Sequence, residues 1–142
     1  MSLLNQEQKR RLIKAALEAR KFSYSPYSQY QVGAALLCKN GTIYTGCNIE
    51  NAGYGPTNCA ERTAIFKAVS EGEREFIAIA VAGGRIGEDI DKYAYPCGVC
   101  RQVMAEFCRD DFEIFVIKSE SDYAEHTLDE LLPNRFGPMN LQ

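Results

Sequence analysis

At 142 residues, nearly half of them apolar, the chain is long enough to bury a core without staples, and it contains neither repeat nor linker, so residues 1–142 read as a single domain. A formal net charge of −3 argues against a phosphate-binding face, and the one basic cluster, Lys9, Arg10, Arg11 and Lys14, falls on the polar side of a predicted helix. No apolar run approaches the roughly 20 residues of a membrane span, and the first residues lack a signal-peptide layout, so a cytoplasmic protein without nucleic-acid or membrane partners is expected, its six cysteines reduced.

Residues 5–21 show helical spacing, with Leu12, Ile13, Ala16 and Leu17 apolar on one side. The helix ends before the turn-rich Ser23-Tyr24-Ser25-Pro26-Tyr27-Ser28. Tyr24, Tyr27 and Tyr30 in this neighbourhood read as amphipathic aromatics capping the core in preference to the walls of a ligand site. Gln31 to Cys38 is an apolar run and predicts a strand. Asn40-Gly41, the strongest short hairpin signal, returns the chain as a second strand from Ile43 to Asn48. The loop from Asn48 to Asn58 is full of turn formers, so its polar side chains sit where a rigid sheet can present them. Asn48 and Glu50, two apart on an extended segment, point the same way. They can hold adjacent hydroxyls of a sugar or cap Asx turns within the loop, and spacing alone does not separate the two.

Cys59-Ala60-Glu61-Arg62 opens a second helix through Ala64, Ile65, Ala68 and Val69 that stops at Glu71-Gly72. Phe76 to Ala82 is a continuous apolar strand bounded by Gly83-Gly84, and Arg85 to Tyr95 a charged connection. A third helix follows Pro96, with Val103, Met104 and Phe107 inward. Phe112 to Ile117 predicts a strand, Tyr123 to Thr127 a short fifth strand, and Leu128 to Leu132 a short helix ended by Pro133. A hairpin followed by helix, strand, helix and strand implies an α/β fold: a three-layer α/β/α sandwich around a five-stranded mixed sheet.

Pro96-Cys97-Gly98-Val99-Cys100 puts two sulfurs on one face of a first helical turn. Structural zinc takes four protein ligands, and catalytic zinc takes three and keeps an open position. Cys59 also falls at a predicted helix N-terminus, where the dipole and unpaired N–H groups favour thiolate over thiol. Two helices entering side by side can therefore bring Cys59, Cys97 and Cys100 to one cation. A four-cysteine structural site would need Cys38, Cys47 or Cys108, two of them in the hairpin strands and one at a helix end. Three thiolates overcompensate Zn²⁺ and weaken it as a Lewis acid; Arg62, and Arg101 or Gln102, are placed to donate to the sulfurs and draw charge off them. Glu61 needs no bond to the metal. A carboxylate beside an activated water can take its proton and deliver it to a substrate. The only histidine, His126, reads as a surface residue.

The two motifs match the description of zinc nucleobase deaminases, a ligand-x-Glu followed by Pro-Cys-x-x-Cys, in its three-cysteine form. From the first helix to Gly137 the chain also resembles the small three-cysteine cytidine deaminases of nucleoside salvage, within the cytidine and deoxycytidylate deaminase family. The resemblance is carried by Ser25-Pro26-Tyr27-Ser28, Val32-Gly33-Ala34-Ala35-Leu36, Gly46-Cys47-Asn48-Ile49-Glu50-Asn51-Ala52, Cys59-Ala60-Glu61-Arg62-Thr63-Ala64, Pro96 through Val103, and Glu130-Leu131-Leu132-Pro133.

That resemblance implies one Zn²⁺ per chain held by Cys59, Cys97 and Cys100. It implies that Glu61 deprotonates a water and shuttles the proton to N3 and to the departing amino group as C4 of cytosine is attacked. It assigns Asn48 and Glu50 to the ribose, the backbone around Ala60 and Pro96 to the base, and Tyr30 and Tyr54 to the substrate pocket. Phe136 would cover the base of a neighbouring subunit in a homotetramer with shared sites. The implied reaction is hydrolysis of cytidine and 2′-deoxycytidine to the uridines with release of ammonia, in pyrimidine salvage. Two alternatives are a deaminase of the antibiotic blasticidin S, against which the ribose loop argues, and a non-catalytic zinc module with four protein ligands. Gly53 to Asn58 departs from the family's commonest wording and Gly83 to Tyr95 is somewhat long for it, which bears on substrate preference and not on the reaction.

Overall fold

Asn5 starts the first helix. Its side chain accepts from the Gln8 N–H at 2.8 Å while the Gln8 side chain accepts from the Asn5 N–H at 3.0 Å, a reciprocal cap that satisfies two otherwise orphaned donors. In the computed structural model, which describes residues 2–142, this helix is α1, Gln6–Ala19, and a 3₁₀ turn at Arg20–Phe22 closes it. The following elements are β1 Tyr30–Cys38, β2 Ile43–Cys47, α2 Ala60–Ser70, β3 Phe76–Arg85, α3 Gly98–Phe107, β4 Glu113–Ile117, β5 Tyr123–Thr127 and the short α4 Leu128–Leu131.

The five strands form one mixed sheet in the order β2-β1-β3-β4-β5. β1 is antiparallel to both β2 and β3, β3 is parallel to β4, and β4 is antiparallel to β5. Side chains alternate across the sheet with period two. Ala35, Leu37, Ala78, Ala80, Ala82, Phe115 and Ile117 meet Leu12, Ile13 and Ala16 of α1 on one side. Ala34, Leu36, Ile79, Val81, Ile114 and Val116 meet Ala64, Ile65 and Ala68 of α2 and Met104 of α3 on the other. This is the expected three-layer sandwich. Each fully buried Leu or Ile of the two cores contributes about 1.5–3 kcal/mol of apolar burial.

The third strand runs past its predicted end. Gly83 and Gly84 do not terminate it but pair with Val32 and Gln31. A Cβ at Gly83 would come within 2.9 Å of the Tyr30 ring and 3.0 Å of Ala94 Cβ, so close approach, and not a turn, is what the glycine serves.

The topology decides where the site lies. β2 and β3 each oppose β1, so they run the same way, and α2 and α3, which follow them, begin at the same edge of the sheet. Gly46 on β2 lets the start of α2 lie directly on the strand: a Cβ there would sit 2.5 Å from both the Ala60 carbonyl oxygen and the Ala64 nitrogen.

Candidate metal centre

Cys59 and Cys97 occupy the same position on two helices, each the extended residue before the first helical turn. The Cys59 carbonyl accepts from Thr63 N and the Cys97 carbonyl from Arg101 N, both at 3.0 Å. Cys100 lies one turn into α3 and is fully buried, whereas Cys97 is exposed. Because both helix starts share one edge of the sheet, the three sulfurs lie within 4.8 Å of one another. The Cys59 and Cys97 sulfurs are 3.8 Å apart. A tetrahedral site with Zn–S bonds of about 2.3 Å has an S–S edge of about 3.8 Å, so the spacing fits zinc. Cys38, Cys47 and Cys108 lie outside this cluster.

The charge on the sulfurs is uneven. Cys59 is pushed down to about 5, mainly by the hydrogen bond it receives from the Cys100 thiol, with burial opposing and Arg62 helping. The Cys100 thiol is driven upward by the same bond and by burial. Metal ligation takes thiolate, so a cation held by these sulfurs would release their thiol protons. Arg62 Nη2 donates to Cys59 Sγ at 3.2 Å. Its Nε is buried without a partner, a donor left for whatever completes the centre.

Glu61 follows Cys59 by two residues and is 4% exposed. Burial pushes its carboxyl up to about 7, and the neighbouring Cys59 thiolate adds to the rise. A carboxyl group near neutrality can both accept and release a proton. It lines a cavity of about 260 Å³ together with Tyr30, Asn48, Ala60, Cys59 and Cys97. A larger groove, about 800 Å³, lies beside the C-terminal end of α3, but its Asp110 and Asp129 are engaged by the little-exposed Arg135, so its charge serves structure.

Asn48 and Glu50 are held tightly. Asn48 Oδ1 accepts from Val32 N at 2.9 Å and from the Ser23 hydroxyl, and its Nδ2 donates to the Tyr30 carbonyl at 2.9 Å. Glu50 Oε1 accepts from Tyr27 N at 2.9 Å and Ser28 N at 3.1 Å, and Oε2 accepts from the Ser28 hydroxyl. That hydroxyl, with the two N–H groups, holds the Glu50 carboxyl below the usual range. Both side chains bond to segment 23–32 and not within their own loop, which removes the loop-capping reading, and of the two only Asn48 lines the cavity.

Other expected residues lie elsewhere. Tyr54 is 74% exposed, set edge-on to Tyr27 with ring centroids 6.5 Å apart, and Phe136 is 57% exposed; neither lines the cavity. Gln102 reaches away from the sulfurs, donating to the Phe136 carbonyl at 2.9 Å. Arg101 donates to the Pro96 carbonyl at 2.7 Å and the Leu131 carbonyl at 2.6 Å. Of the three candidate donors to sulfur, only Arg62 bonds to one here.

The sequence reading missed Tyr95, which lines the cavity. Its signal was its position two residues before Cys97 on an extended segment, which turns both toward one side. His126, read as a surface residue, is in contact with Tyr95.

Over residues 6–116 the chain matches the family model described as the cytidine and deoxycytidylate deaminase zinc-binding region. It is 54% identical over 125 residues to a protein named cytidine deaminase from Halalkalibacterium halodurans, a match covering 88% of this chain and 91% of that one. A protein of the same name from Sporosarcina psychrophila is 49% identical over 131 residues, covering 92% and 93%. The crystal structure of cytidine deaminase from Burkholderia pseudomallei is similar with a TM-score of 0.80 at 45% identity, covering 89% of this chain and 97% of that one.

Proposed function

The chain belongs to the cytidine and deoxycytidylate deaminase family, and from that premise we propose that it hydrolyses cytidine and 2′-deoxycytidine to uridine and 2′-deoxyuridine, releasing ammonia. The observation that carries this reading is the convergence of three cysteines from two helix starts, two of which, Cys59 and Cys97, line one cavity with the buried Glu61 carboxyl group. Three ligands in place of four leave room for chemistry at the metal.

Cys59, Cys97 and Cys100 would hold zinc, which when bound would supply the Lewis acidity that makes a water nucleophilic near neutral pH. Glu61 accepts the proton that this water loses. It passes that proton to N3 of the base as the C4–O bond forms, then takes the proton of the new C4 hydroxyl and gives it to the exocyclic nitrogen, so the C4–N bond breaks with ammonia as leaving group and a C4 carbonyl remains. Arg62, bonded to Cys59 Sγ, draws charge off the sulfurs and keeps the centre electrophilic. The backbone at Ala60 and Pro96 takes the base, with Arg101 fixing the Pro96 carbonyl. Glu50 accepts from a ribose hydroxyl, and Asn48 donates the amide hydrogen that Tyr30 does not use.

The wider reading is of one domain in pyrimidine salvage, working in the cytoplasm as a homotetramer. No helix among the described residues is long and apolar enough to cross a membrane. The exposed rings of Tyr54 and Phe136, outside this chain's own cavity, suit contact with a neighbour's site.

The test is Glu61→Gln. Metal analysis should find about one zinc per chain, from the three-ligand site, while turnover of cytidine falls at least the roughly 10²–10⁴-fold of general acid–base catalysis. Undiminished turnover would remove Glu61 from the mechanism, and faster hydrolysis of blasticidin S than of cytidine by the unaltered protein would replace the substrate.

A further inference from the structure

The connection from β3 to α3, residues 86–97, has no regular structure, yet two of its side chains are fastened at the β5 edge of the sheet. Tyr93 Oη donates to Asp122 Oδ1 at 2.6 Å, just before β5, and Lys118 Nζ lies 4.7 Å from the Tyr93 ring centroid. Two residues on, Tyr95 Oη is 3.2 Å from His126 Nε2, with ring centroids 5.4 Å apart. His126 is itself fixed, opposite Ile114 in the β4–β5 ladder. Tyr95 is half-exposed, so packing alone does not hold its ring; the hydrogen bond and the ring contact do. It lines the cavity that contains Glu61, Cys59 and Cys97, and none of the reaction's proton transfers uses it.

We propose that Tyr95, positioned by His126, is a specificity-determining wall of this cavity: the base packs against its ring, and substituents on the base are limited by it. The inference rests on reading the chain as a cytidine deaminase. A ring ordered before substrate arrives removes an ordering cost from binding, so the effect belongs in KM.

The experiment measures kcat and KM for cytidine and for 5-methyl-, 5-bromo- and 5-iodocytidine. The proteins are the unaltered chain, Tyr95→Phe, Tyr95→Ala, His126→Phe and the double variant with both phenylalanines. An aromatic contact predicts that Tyr95→Ala lowers kcat/KM for cytidine about three- to tenfold, through KM. Its ratio of 5-iodocytidine to cytidine kcat/KM should rise. Tyr95→Phe and His126→Phe should each raise KM about two- to threefold with kcat unchanged, since each loses the one hydrogen bond, and the double variant should be no worse than either. Zinc content and melting temperature separate these effects from misfolding. An unchanged analogue ratio in Tyr95→Ala, or additive losses in the double variant, would overturn the wall. An unaltered protein that leaves cytidine intact would instead overturn the deaminase reading beneath it.

Discussion

Arg62 meets a requirement that three thiolates create. Its guanidinium bonds to Cys59 Sγ, and its buried Nε is left without a partner. Arg62→Gln should weaken zinc retention about 10–100-fold, the usual cost of losing a group that orients a metal ligand. Competition with a chromophoric chelator measures it, and retention equal to that of the unaltered protein would show that the guanidinium is dispensable. Which residues carry charge was legible from the motif, since Arg62 lies three positions after Cys59 and so one helical turn above it. Gln102, two positions after Cys100, instead reaches the Phe136 carbonyl, because the tail packs alongside α3. Nothing in the local spacing announces that contact.

At the scale of elements, the start of α2 rests on β2 through the missing side chain at Gly46. Gly46→Ala puts a methyl group 2.5 Å from backbone atoms of Ala60 and Ala64, which cannot rotate away. It should cost about 1–3 kcal/mol as overpacking, read by urea unfolding. Cytidine turnover should fall as well, because Cys59 and Glu61 ride on the displaced turn; full activity would separate the helix start from the site. The short α4 offers a pH prediction. Glu130 accepts from the Thr127 N–H and hydroxyl, and chiefly the former holds its carboxyl below the usual carboxylate range. A carboxyl group depressed in the folded state stabilises it above the unfolded value, and that contribution is lost as pH falls through the folded value. The melting-temperature gap between the unaltered protein and Glu130→Gln should therefore be present at pH 7 and close below about pH 4.5. A gap independent of pH would mean that the charge plays no part in the cap.

For the whole molecule, the exposed Tyr54 and Phe136 have no role within their own chain's cavity. Sedimentation equilibrium should give about four times the 15.9 kDa chain mass, and Phe136→Ala should lower activity without removing zinc. A monomer with full activity would refute shared sites. The sequence alone determined the order of elements, the sandwich and the candidate ligands, because each rests on short-range patterns: apolar runs bounded by turn residues, helical spacing, and cysteines placed at helix starts. The continuation of β3 through Gly83-Gly84 was not legible, because a glycine pair has the same local signature whether it ends a strand or admits a neighbouring ring. Tertiary structure decided three further things. Antiparallel pairing of β1 with both β2 and β3 brought two helix starts to one edge, so sulfurs 38 residues apart lie 3.8 Å from each other. Burial drove Glu61 toward neutrality. The contact with His126 set Tyr95 at the cavity wall. Each depends on residues distant in sequence, and the strand register that joins them is fixed only when the sheet assembles.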